Sequence, residues 1–441
     1  MPSFSGHFEL LQPGAAAGQS GSCQVTFDAE TFTLTPGTGS PLTIDLGDID
    51  TFAPGEHDLA LTLYTRQRLL LRQFGRAFHN LAHDLLEAHR NRLVECLLLE
   101  DLEEVARFDG HAQLASKSSP ERGFASPAEL RLYRSNLAVL PTRATAMQWR
   151  LAEIDGVTFD EETYTVTLRS GSETLRFTKL AKRTREFRER VENGATAIRE
   201  KAAQAVHRLL PFLTPDEFQK AAMLLREGQP AAFGSLNTVN ARIEGALYEN
   251  IVDVQLKPYC DALREFTPAG TTYTGFKFIR EEEGESEETE GADESAAPTG
   301  EAESAGDAKP GEAEPILHWF FFPVAKRSGD RPNLVAWEAA SRGGRATHFF
   351  RLAPPGSGSQ PAPDVDSAIR QINRALVLLN FRRAPIYLSD ERLDTDARYR
   401  RYAIACRKIP ELRRLRSNFV GRAIHTSLDA WQKQVESFLE G

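Results

Sequence analysis

His79 and His83 stand four residues apart with Glu87 one helical turn further on, the spacing at which a helix presents two imidazoles to one metal ion. The order His79-Asn80-Leu81-Ala82-His83 lacks the glutamate that a zinc protease uses as base, so the pair reads as two polar side chains flanking an apolar stripe. No GxxxxGK[ST] phosphate loop, GxGxxG dinucleotide turn or GxSxG nucleophile elbow occurs. Gly343-Gly344 reads as a hairpin turn. The acid pairs Asp48/Asp50 and Glu153/Asp155 have the residue types of paired catalytic carboxylates. A solvated turn explains them more simply, because catalytic acids need a pocket that shifts their titration. The four cysteines (Cys23, Cys96, Cys260, Cys406) are more than seventy residues apart, which excludes CxxC metal or redox motifs and fits a reduced interior. No residue is assigned a catalytic, cofactor or metal role, no cofactor is expected, and the balance leans away from an enzyme.

Charge carries more information. Residues 281–314 hold fourteen acids and one base, Lys309, so the rest of a chain whose net charge is -9 is slightly basic. That stretch has no aromatic or branched aliphatic residue and is expected to be a disordered acidic insert. Near the other end, Arg398, Arg400, Arg401, Arg407, Lys408, Arg413, Arg414, Arg416 and Arg422 crowd into 25 residues. They are either a polyanion-binding surface, with nucleic acid as partner and strong salt dependence, or a helix face whose arginines pair with Asp394, Asp396 and Glu411. A third reading lays the acidic insert against this tail as a tethered mask. Leu428, Trp431, Val435 and Phe438 share one face of a final helix and are candidates for docking a partner helix or for covering the chain's own core. Trp319-Phe320-Phe321-Phe322 is apolar on both strand faces, which predicts a central buried strand rather than a base-stacking platform.

The elements that must position these residues are legible from periodicity. At 441 residues, 41% hydrophobic and 26% charged, the chain is long enough for several domains. No apolar run reaches the ~18 residues of a membrane helix, no secretory signal is visible, and a cytoplasmic location is expected. Phe4-Ser5-Gly6-His7-Phe8-Glu9-Leu10 returns as Phe108-Asp109-Gly110-His111-Ala112-Gln113-Leu114, and Ile44–Asp50 lines up with Trp149–Asp155. Within each copy residues alternate with period two, as in Cys23/Val25/Phe27, Leu59/Leu61/Leu63 and Tyr164/Val166/Leu168. The period then turns helical, through Phe74, Phe78, Leu81 and Leu85 in one copy and Phe187, Val191, Ile198 and Ala202 in the other. Each copy is expected to be six or seven antiparallel strands closed by one helix.

That order of elements resembles the pleckstrin-homology (PH) superfold over residues 1–210. The resemblance implies a binding module, with phosphoinositides as the familiar ligand. Headgroup sites of such modules hold several basic residues in the first strand–strand loop, yet Leu11–Ser22 has none and Ala115–Ala128 only Lys117 and Arg122. This argues against phosphoinositide binding. The stretches Gln73–Leu81 and Phe381–Asp390 resemble segments of bacterial proteins to which no activity is attached. Paired pleckstrin-like domains with an acidic tract also resemble subunits of the FACT histone chaperone.

The expected fold class is α+β: PH-like domains at 1–105 and 106–210, a helical connector at 211–266, an α+β module at 267–380 carrying the insert 281–314, and a basic helical C-terminal region at 381–441. Thr214-Pro215-Asp216-Glu217 is a helix start in the connector. The expected function is a non-enzymatic scaffold binding protein partners through its PH-like modules. The alternatives are a nucleic-acid-associated or histone-chaperone-like protein, and an enzyme with a site assembled between domains.

Overall fold

The structure, a computed structural model, describes residues 3–14, 18–100, 102–117, 120–279, 315–326, 330–340, 345–353 and 364–440. The acidic insert, the Gly343-Gly344 turn and the loop 354–363 lie outside the described residues. The chain is α+β and divides into two compact units, Met1–Ile198 with Leu393–Pro410, and Arg199–Arg392 with Glu411–Gly441.

The first unit holds two modules. In the first, β1 (Ser3–Leu11), β2 (Gln19–Phe27), β3 (Thr31–Pro36), β4 (Leu42–Asp45), β5 (Ile49–Pro54), β6 (Asp58–Leu63) and β7 (Arg68–Arg72) precede α1 (Phe78–Cys96). The second repeats this with β8 (Glu104–Ser116), β9 (Phe124–Tyr133), β10 (Asn136–Pro141), β11 (Met147–Arg150), β12 (Gly156–Asp160), β13 (Thr165–Ser170), β14 (Glu173–Thr178) and α2 (Thr184–Leu209), whose residues from Arg199 onward belong to the second unit. The sheet orders are β4-β3-β2-β1-β7-β6-β5 and β11-β10-β9-β8-β14-β13-β12, equivalent strand for strand. Single 3-10 turns recur at matching places, Leu46–Asp48 and Leu151–Glu153 between the half-sheets, and Gly75–Ala77 and Ala181–Arg183 before the helices. The alternating residues Val25, Leu59, Leu61, Leu69 and Leu71 fill the first core with Leu81 and Leu85 of α1. Val166, Leu168, Leu175 and Phe177 fill the second with Phe187 and Val191 of α2.

The repeated Phe-x-Gly-His has a packing cause. A Cβ on Gly6 would lie 2.6 Å from the Phe74 ring, and one on Gly110 would lie 2.8 Å from a Leu180 methyl. Phe74 and Leu180 are buried plugs at the strand-to-helix junction of their modules. Each plug is flanked by left-handed residues, Gln73 (φ 60) and Gly75 (φ 57) in one copy, Lys179 (φ 58) and Ala181 (φ 51) in the other. The chain reverses around a single inward-pointing side chain, and the strand beneath must be glycine to admit it. Gly6→Ala is expected to cost about 1–3 kcal/mol through overpacking against the rigid ring. Combined with Phe74→Leu, the residue type the second module uses, the two costs should be non-additive; additive costs in a denaturant double-mutant cycle would refute the plug.

In the second unit come α3 (Pro215–Leu224), β15 (Ala231–Ala232), α4 (Phe233–Val239), α5 (Ile243–Ile251), α6 (Lys257–Glu265), β16 (Tyr273–Phe278), β17 (Ile316–Val324), β18 (Leu334–Ala339), β19 (Ala346–Arg351) and α7 (Val365–Leu378). There follow α8 (Ala384–Tyr387), α9 (Asp390–Thr395), α10 (Arg400–Lys408, in the first unit), α11 (Pro410–Asn418), β20 (Phe419–Ile424) and α12 (Leu428–Glu440). Thr214 and Glu217 form the expected capping box at α3. The sheet runs β15-β16-β17-β18-β19-β20, with Trp319, Phe320, Phe321 and Phe322 all 0% exposed on β17, a strand covered on both faces.

Two boundaries differ from the sequence reading. The region 381–441 is not wholly helical: Phe419–Ile424 pairs with β19 as the sixth strand. Val420, Ala423 and Ile424 are spaced i, i+3 and i+4, as on a helix, but tertiary pairing decides the conformation of so short a run. The connector 211–266 and the module 267–380 are also not separate, because residues of α3, α4, α5 and α6 share one core with β16, β17 and α12.

Candidate functional site

The nine basic residues of the C-terminal cluster do not form one surface. Five lie in the first unit, and three of them, Arg400, Arg407 and Lys408, meet the turn between β4 and β5. Arg407 Nη1 donates to Asp48 Oδ1 at 2.8 Å and its Nη2 to Asp394. Arg400 pairs with Asp394 at 2.6 Å and with Asp48 at 3.4 Å. Lys408, itself buried, donates from Nζ to the Ile49 carbonyl at 2.9 Å and to Asp50 at 3.0 Å. Arg401 pairs with Glu100, and Arg398 with Asp396 at 2.9 Å. The acid pair Asp48/Asp50 is thus the receiving half of an ionic network. Beneath it Arg92 grips Asp45 through two hydrogen bonds of 3.1 and 2.9 Å and reaches Glu95 at 2.6 Å.

Electrostatics follow burial. Desolvation raises the Asp48 carboxyl, an effect that the Arg407 and Arg400 guanidiniums oppose. Burial would lower Arg407, but Asp48 and Asp394 hold it above its ordinary value. His89 under the same turn is pushed down to about 3, chiefly by burial, with the Lys408 and Arg90 charges adding. It is neutral at pH 7, so its Nδ1 donates to the Leu46 carbonyl at 2.9 Å.

The other four basic residues belong to the second unit. Arg416 donates to the carbonyls of Pro385 and Leu388 and pairs with Asp390 at 2.6 Å. Arg422 lies over the Tyr387 ring, 4.2 Å from its centroid. Arg413 and Arg414 are exposed on α11.

Of the candidate docking face, Trp431 and Val435 are 0% exposed and belong to the core of the second unit. Trp431 Nε1 donates to Thr347 Oγ1 at 2.9 Å. Phe438 packs on Phe349 with ring centroids 5.3 Å apart, over Gly421, while Leu428 is 36% exposed. His79 and His83 are exposed on α1, and among the described residues no group of three or more His, Cys, Asp or Glu could hold a metal ion.

One feature escaped the reading of the sequence: the two modules treat their end strands differently. Phe52 N–H of β5 donates to the Thr142 carbonyl of the second module at 2.8 Å. On β11, Gln148 Nε2 donates to the Leu97 carbonyl at 2.6 Å. β12, the terminal strand of its sheet, makes no backbone hydrogen bond beyond β13 among the described residues. Along it Val157 and Phe159 are half-buried while Thr158 and Asp160 are exposed. Tyr164, 58% exposed, stands edge-on to Phe159 at 6.1 Å, and the Arg188 guanidinium of α2 lies over that ring, 5.6 Å from its centroid. An unpaired strand edge beside a half-buried apolar row offers main-chain donors and acceptors to another extended chain.

No protein-family model matches the chain, and no curated protein matches it in sequence. Among solved structures it is similar to the N-terminal PH domain of human ARAP2, at 18% identity, covering 24% of this chain and 89% of that domain with a TM-score of 0.18. The two seven-stranded antiparallel sheets are each followed by one helix.

Proposed function

We propose that the chain is a non-catalytic scaffold with two PH-like modules, and that the second binds extended segments of protein partners along the outer edge of β12. The observation that carries this is the open edge of β12 in a module whose sibling has the equivalent edge, β5, engaged by Thr142. Val157 and Phe159 supply an apolar row for alternate side chains of an added strand, and the backbone supplies the ladder. The division of the basic cluster favours this reading over a nucleic-acid one, since Arg400, Arg401, Arg407 and Lys408 already hold carboxylates of the same unit.

Panning a linear peptide library against the full chain tests it. Enriched peptides should show apolar residues at alternate positions and should slow amide exchange at Val157–Asp160 at least about tenfold, as strand addition buries those groups. Failure of any peptide to enrich, or protection confined to other strands, would remove the proposal.

A further inference from the structure

The turn between β4 and β5 differs from its counterpart in the second module in a directed way. Aligned by the repeat, Asp45 stands where the second module has Arg150, and Gly47 where it has Ala152. In the second module the turn brings its own cation, since Arg150 faces Glu153 at 3.8 Å, and Asp155 Oδ2 accepts from the Gly171 amide at 2.8 Å. In the first module Asp45 is taken by Arg92 from below, while Asp48 and Asp50 turn to cations more than three hundred residues away in the chain. Gly47 leaves room for two helices: a Cβ there would lie 2.6 Å from Cys96 Sγ of α1 and 3.1 Å from Ile404 Cγ2 of α10. The first turn is thus shaped, by charge and by a missing side chain, to receive a basic helix.

The helix it receives depends on that site. α10 has nine residues, below the length at which an isolated helix is stable, and has no side-chain cap at its start. Its Tyr402 and Ile404 are fully buried, and its Arg400, Arg407 and Lys408 converge on Asp48 and Asp50. The segment carrying it belongs to the first unit, whereas the residues on both sides of it belong to the second.

We propose that the β4–β5 turn of the first module is a docking site for a basic amphipathic helix, and that Leu393–Pro410 is its built-in occupant, an autoinhibitory contact that opens as a unit. The partner that competes for the site is a helix with two arginines about two turns apart, an adjacent lysine and an apolar face. The reading is independent of β12, which lies in the other module. Opening is sub-global: α10 detaches while the sheet beneath stays folded, and added salt promotes it by screening the less buried members of the network.

The test uses the full chain, the Arg400→Gln/Arg407→Gln variant and a labelled synthetic peptide spanning Leu393–Pro410. Amides of α10 should exchange at least about tenfold faster in the variant while those of β6 and β7 do not change. The peptide should bind the variant, more weakly at higher salt, and bind the wild-type chain at least about a hundredfold more weakly, because the tethered occupant outcompetes it. In the wild-type chain, α10 exchange should rise with salt ahead of β6 and β7, which tests opening even if the variant fails to fold. The proposal is overturned if α10 exchanges only together with the sheet at every salt concentration. Peptide binding to neither protein, or equally to both, overturns it as well.

Discussion

Replacing Trp431 with alanine is expected to lower the stability of the second unit by about 3–5 kcal/mol. The indole is 0% exposed and packs with Val435, Leu439, Phe349 and Ala423 in one core cluster. Its Nε1 also satisfies Thr347 Oγ1, whose own hydroxyl donates to the fully buried Glu338 at 2.6 Å. Truncation leaves a large cavity and removes the donor that orients that pair, so both terms act in the same direction. Leu428→Ala, at the exposed end of the same face, should cost under about 1 kcal/mol. Thermal unfolding followed by tryptophan fluorescence and by calorimetry separates the two variants. An unchanged midpoint for Trp431→Ala, coupled to loss of a bound partner, would return this residue to the role of a docking residue.

The contrast shows where periodicity stops being informative. Leu428, Trp431, Val435 and Phe438 were legible as one helical stripe, and a stripe is the same pattern whether it meets the chain's own sheet or a partner. Only the presence of β19 and β20 under it decides the matter, and β20 itself was missed because Phe419–Ile424 is too short for its period to be read. Strands such as β6 and β13 were legible because one face is buried and the other more exposed, which imposes alternation, whereas β10 is buried at every position. Trp319–Phe322 was legible for the opposite reason, since a strand covered on both faces has no polar positions. The acid pairs and the arginine cluster were each visible as isolated features. Their meeting was not, because Asp48 and Arg407 are 359 residues apart and local sequence does not encode which distant charge answers which. The open edge of β12 left no trace in composition, since an edge strand and an inner strand of five residues read alike.

Asp45→Ala is the second change with a large expected effect, about 3–5 kcal/mol in the first unit. Arg92 is 5% exposed and has committed its Nε and Nη2 to the Asp45 carboxylate. Glu95, at 2.6 Å, is 39% exposed and compensates only part of the guanidinium charge. Removing Asp45 therefore leaves a buried cation with unmet donors, and the cost is that of the orphaned partner rather than the net worth of the pair. A second change, Arg92→Met, removes the orphan and should recover most of the loss, since an apolar side chain of similar length fills the space. Chemical unfolding of the single and double variants measures this. A single variant as stable as the wild type would mean that solvent reaches Arg92 when Asp45 is gone.

The separation between the β4–β5 turn and α10 also has a consequence in time. During synthesis the strands and helix of the first module are complete once Cys96 has emerged, yet Arg407 and Lys408 follow about three hundred residues later. At roughly 5–20 residues per second the ribosome takes about 15–60 s to deliver them. Throughout that interval the nascent chain presents Asp48 and Asp50 without Arg407 and Lys408. A basic helix supplied by another protein would therefore meet this acidic turn open on the growing chain and occupied on the finished one.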